Sequence, residues 1–163
     1  MLLYIICFAV AMLIHELGHL AAARLCRIPA TELGFGWGKR LFGFDLGGVE
    51  YKLHALPIGA YVRLDISELQ RRSLGQQVFV LLAGVLVNLG AAGATWGTTF
   101  GTMNMLLAVT NLLPLYQQDG WKCGVVCLRA LLRRHSTLVE WTFTIAGGGL
   151  SLAFFFAQTI RHL

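Results

Sequence analysis

The chain opens with an apolar run from Leu2 to about Leu25 that contains the sequence His15-Glu16-Leu17-Gly18-His19. The run is long enough to cross a bilayer as a helix. Positions four apart share a helix face, so both imidazoles can point at one metal ion, with the glutamate beside them. Ionisable groups inside a membrane are costly and are functional candidates by default. The run therefore predicts a transmembrane helix that carries two ligands of a zinc site and a general base.

Composition excludes an ordinary soluble domain. Of the 163 residues, 56% are hydrophobic and only 13% are charged, and the mean hydropathy is +0.67. These values predict a polytopic α-helical membrane protein, with one domain over residues 1–163 and about four transmembrane helices. The predicted spans cover about 2–25, 78–96, 102–117 and 138–160. Small residues in the second span, among them Gly84, Gly90 and Gly93, are interpreted as helix-packing positions.

Residues 34–64, between the first and second spans, have a different character. The segment is rich in glycine, residues 50–56 partly alternate polar and apolar, and Pro57-Ile58-Gly59 is a turn signal. This pattern predicts a small membrane-associated β-hairpin or sheet, because it is too short and too polar to cross the bilayer. The polar connector at 65–77 predicts a short amphipathic helix, and residues 121–134 predict a basic interfacial helix.

The distribution of positive charge predicts the orientation. The net charge is +5, and of the 13 lysines and arginines only Arg161 falls outside the loops on one side of the four-span arrangement. By the positive-inside rule those loops face the cytosol and both termini face outward. We expect an integral protein of a bacterial inner membrane, with its active site near the cytosolic face.

A catalytic zinc usually has three protein ligands, so the two histidines need a partner from another segment. At about 1.5 Å per residue, the histidines lie about 20 to 26 Å along the first span. The third segment starts on the outer side near Thr102 and reaches a similar depth, about 25 Å, at Asp119. Other acids, such as Glu32 and Glu68, fall in segments expected to be solvated. Asp119 is therefore the predicted third ligand.

Several segments in order resemble the site-2 proteases, the intramembrane zinc metalloproteases. Asn111 to Gly120 is similar to that family's N-x-x-P-x-x-x-x-D-G motif, whose aspartate is the third zinc ligand. Further similarities lie at His15 to His19, Gly34 to Gly36, Pro57 to Val62 and Ala83 to Asn88. Departures occur at Ala60, Val85, Tyr116, Gln117 and Trp121, and they affect the expected shape of the substrate groove rather than the ligands. The expected form is the compact one, without the PDZ or CBS domains of many members.

The resemblance implies one Zn²⁺ per chain, held by His15, His19 and Asp119, with Glu16 as general base. The implied substrates are single-span membrane proteins or peptides, such as anti-sigma factors or signal-peptide remnants, cut within the lipid bilayer, with no nucleic acid involved. The 34–62 region could receive an unwound substrate by β-addition, and the candidate substrate-binding residues are Pro57, Gly59, Tyr61, Asn88 and Asn111.

Two matters stay open at this point. Asn88 and Asn111 could bind the substrate backbone or make interhelical hydrogen bonds. The alternative function is a catalytically silent membrane scaffold or adaptor that binds zinc. Glu16 favours an enzyme, because a structural zinc site needs no general base. A metal transporter is disfavoured, because the spans carry almost no ionisable groups outside this cluster.

Overall fold

A computed structural model describes residues 1–132 and 137–161. The described residues form six helices and two strands, which are numbered in chain order. They are α1 (Leu2–Leu25), β1 (Ala30–Leu46), β2 (Val49–Leu64), α2 (Ile66–Arg71), α3 (Leu74–Ala94), α4 (Thr99–Leu112), α5 (Asp119–Leu132) and α6 (Thr137–Arg161).

Helix α3 occupies the centre of the fold and packs against α1, α4 and α5. Its close contacts use small or branched residues that are almost fully buried, such as Val80, Ala83 and Val85. A capping box between Ser73 and Gln76 satisfies backbone groups where α3 begins. Helices α1 and α3 are long and apolar enough to cross a membrane. The main buried apolar cluster lies where the end of α1 meets α3, together with Leu69 of α2.

The strands form one two-stranded antiparallel sheet with several register shifts. It begins at Ala30, slightly earlier than the predicted 34–64 region, and confirms a small sheet between the first two long helices. Residues 32–35 have Cα partners in both 60–63 and 50–53, so β2 bends around the first part of β1. Leu20 of α1 packs with Leu33 and Val49 in a buried cluster, which fixes the sheet against the bundle.

The third predicted span, 102–117, differs from the structure at both ends. Helix α4 begins at Thr99 and ends at Leu112. It ends there because Pro114 cannot continue a helix and disfavours helical geometry in the residue before it. The 14 residues of α4 extend about 21 Å at the helical rise, which is less than the thickness of a bilayer core. Residues 113–118 then form an irregular connection, and α5 begins at Asp119.

Helix α6 adjoins α5. Arg129 of α5 donates two hydrogen bonds, of 2.7 and 2.8 Å, to the Glu140 carboxylate of α6. The rings of Trp121 and Phe143 stack with centroids 6.4 Å apart. The predicted interfacial segment at 121–134 thus corresponds to α5 over its described part; Arg133 and Arg134 lie outside the described residues.

Candidate metal centre

Three side chains from two distant parts of the chain meet inside the bundle. His15 Nε2 lies 2.9 Å from Asp119 Oδ2, and His19 Nε2 lies 3.1 Å from the same oxygen. The two Nε2 atoms are 3.1 Å apart. All three residues are buried, with at most 6% of their surface exposed. Among the described residues this is the group of histidine, cysteine and acidic side chains placed to hold a metal ion.

The other ring nitrogen of each histidine faces a hydrogen-bond acceptor. His19 Nδ1 lies 2.7 Å from the Val80 carbonyl oxygen, which can only accept, so this nitrogen carries the proton. His15 Nδ1 lies 2.5 Å from Asn88 Oδ1. With both protons on Nδ1, both Nε2 lone pairs point toward the Asp119 carboxylate. Such partners set the orientation of metal-binding histidines and raise their basicity.

This donor set fits a divalent cation. Two imidazole lone pairs and a carboxylate oxygen would repel one another at about 3 Å unless a positive charge lay among them. Ligand atoms of tetrahedral zinc, each about 2.0 to 2.1 Å from the ion, lie roughly 3.3 Å apart, close to the observed separations. Two histidines and one carboxylate also match the ligand set of many catalytic zinc sites.

A glycine keeps the space beside the histidines open. A Cβ atom placed on Gly84 would lie 2.6 Å from both His15 Nε2 and His19 Nε2. The small-residue pattern of α3 predicted close helix approach, and here the approaching groups are the two imidazoles. By contrast, a Cβ on Gly90 or Gly93 would meet no described atom within 4 Å.

Gly84→Ala is therefore expected to weaken zinc binding at least about 10-fold, because the methyl group would displace the ligand atoms from their geometry, an effect comparable to losing a hydrogen-bond partner of a ligand. Gly93→Ala, in the same helix, is the matched control and should retain wild-type affinity. Chelator competition on the purified protein measures both. Equal affinities for the two variants would show that Gly84 does not shape the centre.

The irregular connection after α4 delivers Asp119 to the histidines. Gly120 packs so closely beneath the end of α4 that a Cβ atom would lie 2.2 Å from the Leu112 carbonyl oxygen. Asp119 is the first residue of α5, where a carboxylate is favoured by the helix dipole. Its Oδ2 faces the histidines, and its Oδ1 accepts a 3.0 Å hydrogen bond from Lys122 Nζ. Gly120 is thus required by the close packing at this turn, and Asp119 supplies the carboxylate that faces the histidines.

Glu16 lies beside this centre on the wall of an open cavity of about 660 Å³. His15, Trp37, Gly59 and Asn111 contribute to the same wall, together with apolar side chains of α1 and α4. His15, the Glu16 carboxylate and the bend of β2 all line this one cavity. A peptide that entered it would therefore meet both the centre and the sheet.

The five predicted substrate-binding residues do not all line the same cavity. Gly59 and Asn111 line the cavity, and the Asn111 amide also donates to the Leu107 carbonyl within its own helix. Asn88 is fully buried and bonds to His15, so it makes an interhelical hydrogen bond, which was one of its two predicted roles. Pro57 is exposed. Tyr61 lines a separate cavity of about 290 Å³ with Trp37, on the sheet.

Tyr61 takes part in a charged cluster of the sheet. Its hydroxyl donates to the buried Glu32 carboxylate, which also pairs with Lys52 at 2.9 Å and Arg63 at 3.2 Å. The hydrogen bond from Tyr61 holds the pKa of the Glu32 carboxyl below its ordinary value, and Lys52 and Arg63 act in the same direction, against the opposing effect of burial. Glu32 is thus buried rather than solvated, because three donors stabilise its charge.

The roles of three residues near the centre were not predicted from the sequence. Lys122 could not have been distinguished from other surface lysines. Gly84 was assigned only to packing, since nothing in the sequence shows which face of α3 meets the histidines. Asn104 had a usable signal: it is an amide in an apolar segment, and polar side chains there are functional candidates.

Two histidines on an apolar helix, a glutamate next to the first of them and an aspartate from a second helix form an arrangement typical of metallopeptidases. A family model described as "Peptidase family M50" matches residues 3–101, which is more than half of the chain. The chain therefore belongs to peptidase family M50. The match contains His15, Glu16 and His19, while Asp119 lies beyond it.

The names of similar proteins agree with this family assignment. A protein of Clostridium acetobutylicum is 32% identical over 98% of this chain and 51% of its own length. Proteins of Clostridium perfringens and Fusobacterium nucleatum are 34% and 30% identical over about half of this chain and 28% of their own lengths. Each is named "Putative zinc metalloprotease". The chain thus spans about half or less of the length of these relatives.

Proposed function

We propose that the chain is an intramembrane zinc endopeptidase that hydrolyses peptide bonds within or near transmembrane segments of single-span proteins. The observation that carries the proposal is the convergence of His15, His19 and Asp119 beside a cavity that Glu16 lines. Membership of family M50 and the names of the relatives support a metalloprotease.

In this proposal one Zn²⁺ per chain would be held by His15, His19 and Asp119. When bound, the ion supplies Lewis acidity that activates water and polarises the scissile carbonyl. Glu16 accepts the proton of the attacking water and returns it to the leaving amine. Lys122, at 3.0 Å from Asp119 Oδ1, keeps the other carboxylate oxygen directed at the histidines. Asn111 faces the cavity and can donate to the substrate backbone.

The sheet supports a binding mode for an unwound substrate. Residues 60–63 pair with β1 along one side, and within the described pairing their other side has no strand partner. Gly59 and Ala60 at the start of this segment line the cavity that contains Glu16. An extended peptide could add to this edge through main-chain hydrogen bonds and reach the catalytic residues at the same time.

A membrane location is supported by the apolar surface. Leu2, Leu3 and Ile5 of α1 and Leu138 and Ile145 of α6 are each at least half exposed, which is unfavourable in water and favourable in lipid. The charge distribution supports loops on the cytosolic side, outward-facing termini and a centre near the cytosolic face of a bacterial inner membrane.

The proposal predicts about one zinc per chain and cleavage of a single-span reporter when both are reconstituted in liposomes. A chelator should abolish cleavage, and added zinc should restore it. Metal analysis and mass spectrometry of the fragments measure these outcomes. A folded protein that keeps its zinc but leaves the reporters intact would instead support the catalytically silent scaffold.

A further inference from the structure

Two amides, Asn88 of α3 and Asn104 of α4, are completely buried in the helical bundle. A buried amide costs stability unless its hydrogen bonds are satisfied. Both amides are satisfied, and they bond to each other: Asn88 Nδ2 donates to Asn104 Oδ1 at 2.7 Å. Asn88 also bonds to His15, so the pair connects α4 to a metal-binding histidine on α1.

Backbone carbonyl groups determine the direction of every bond in this chain of contacts. Asn104 Nδ2 lies 2.8 Å from the Phe100 carbonyl oxygen, which can only accept. The amide nitrogen of Asn104 must therefore face Phe100, and its oxygen must face Asn88. In the same way Asn88 Nδ2 lies 3.1 Å from the Ala11 carbonyl oxygen, so the nitrogen of Asn88 is held between two acceptors.

This arrangement leaves only the oxygen of Asn88 to face His15, at 2.5 Å from Nδ1. The histidine must then carry its proton on Nδ1 and keep the Nε2 lone pair free. If the Asn88 amide turned over, its nitrogen would face Nδ1, the proton would move to Nε2, and the ligand atom would be blocked. Asn104 opposes that rotation, because the oxygen of Asn88 would then face the oxygen of Asn104, and two acceptors cannot form a hydrogen bond.

We infer that Asn104 is a positioning residue for the metal centre, which acts through Asn88 to keep His15 Nε2 available as a ligand. The inference rests on the proposed ligand set. It assigns to α4 a part in metal binding although Asn104 itself does not contact the metal-binding atoms, and it gives a physical reason for two buried amides in an apolar bundle.

The test is zinc affinity, measured by chelator competition on the purified full chain, together with the visible absorption of the cobalt-substituted protein. Asn104→Leu should bind zinc about 10- to 100-fold more weakly, the range found when a hydrogen-bond partner of a metal ligand is lost, and should change the cobalt spectrum. Asn104→Ala, which adds no apolar bulk, should behave alike. Circular dichroism of the metal-free proteins confirms that each variant folds.

Two variants separate positioning from packing. Asn104→Asp, in its neutral acid form, keeps an acceptor oxygen for Asn88 and an O–H donor for the Phe100 carbonyl, and should stay within about threefold of wild type. Thr102→Val, on the same helix, removes only a bond to the Thr98 carbonyl and should also retain affinity. The inference is overturned if Asn104→Leu and Asn104→Ala bind zinc as wild type does, or if Asn104→Asp loses as much affinity as they do.

The proposed function fails in a different way. If His15→Ala leaves zinc binding unchanged, the ligand set itself is wrong. If zinc binding depends on His15 but not on Asn104, the ligand set stands and only the positioning role is lost. Neither readout requires a substrate.

Discussion

Glu16→Gln is expected to abolish cleavage while zinc stays bound. The glutamine keeps the size and the place of the side chain on the cavity wall but cannot accept a proton from water. Loss of a general acid–base group typically costs about 100- to 10,000-fold in rate, so cleavage of a reconstituted single-span reporter should fall within or below that range. Metal analysis of the same preparation should still give about one zinc per chain.

Glu68→Gln is the matched control. Glu68 lies on α2 and pairs with Arg71 at 2.7 Å, away from the metal centre, so the same chemical change there should leave the rate within about twofold, as expected for a surface substitution. Normal cleavage by Glu16→Gln would eliminate the mechanism. A variant that loses zinc as well as activity would instead make Glu16 part of the metal site.

Asp119→Ala is expected to lose both zinc and activity. The substitution removes the oxygen that lies 2.9 and 3.1 Å from the two histidine Nε2 atoms and leaves two ligands. Removal of a hydrogen-bond partner of a ligand typically weakens metal binding about 10- to 100-fold, and removal of a ligand should exceed that range. Chelator competition measures the affinity, and the reporter assay measures the rate.

Asp45→Ala, at the exposed end of the hairpin, provides the control for the loss of a carboxylate and should bind zinc as wild type does. Unchanged zinc affinity in Asp119→Ala would exclude Asp119 as the third ligand. In that case another donor would have to complete the centre.

Much of the fold was predictable because its signals are local. The 3.6-residue period of a helix is sufficient to place His15 and His19 on one face. Alternation and glycine content between 34 and 64 predicted the sheet. The predicted third span, 102–117, ran past Pro114, and the bounds of α4 depended on packing and turn geometry.

The environment of Glu32 shows where local reasoning was insufficient. From the sequence it was expected to be a solvated loop carboxylate, yet it is 7% exposed. Its partners Lys52, Tyr61 and Arg63 lie 20 to 31 residues further along the chain, and the bending of β2 around β1 brings them together. No periodicity in the sequence encodes that pairing.

The sequence by itself predicted the ligand types, the general base and the helix that carries them, because these predictions depend on residue identity and on spacing within one helix. Its depth argument also selected Asp119, which the tertiary structure places 2.9 Å from His15. Only the tertiary structure decided which face of α3 meets the histidines, and with it the roles of Gly84, Asn88 and Asn104. Those contacts join residues 16 to 77 positions apart, so they arise from the packing of α1, α3 and α4 and not from any local pattern.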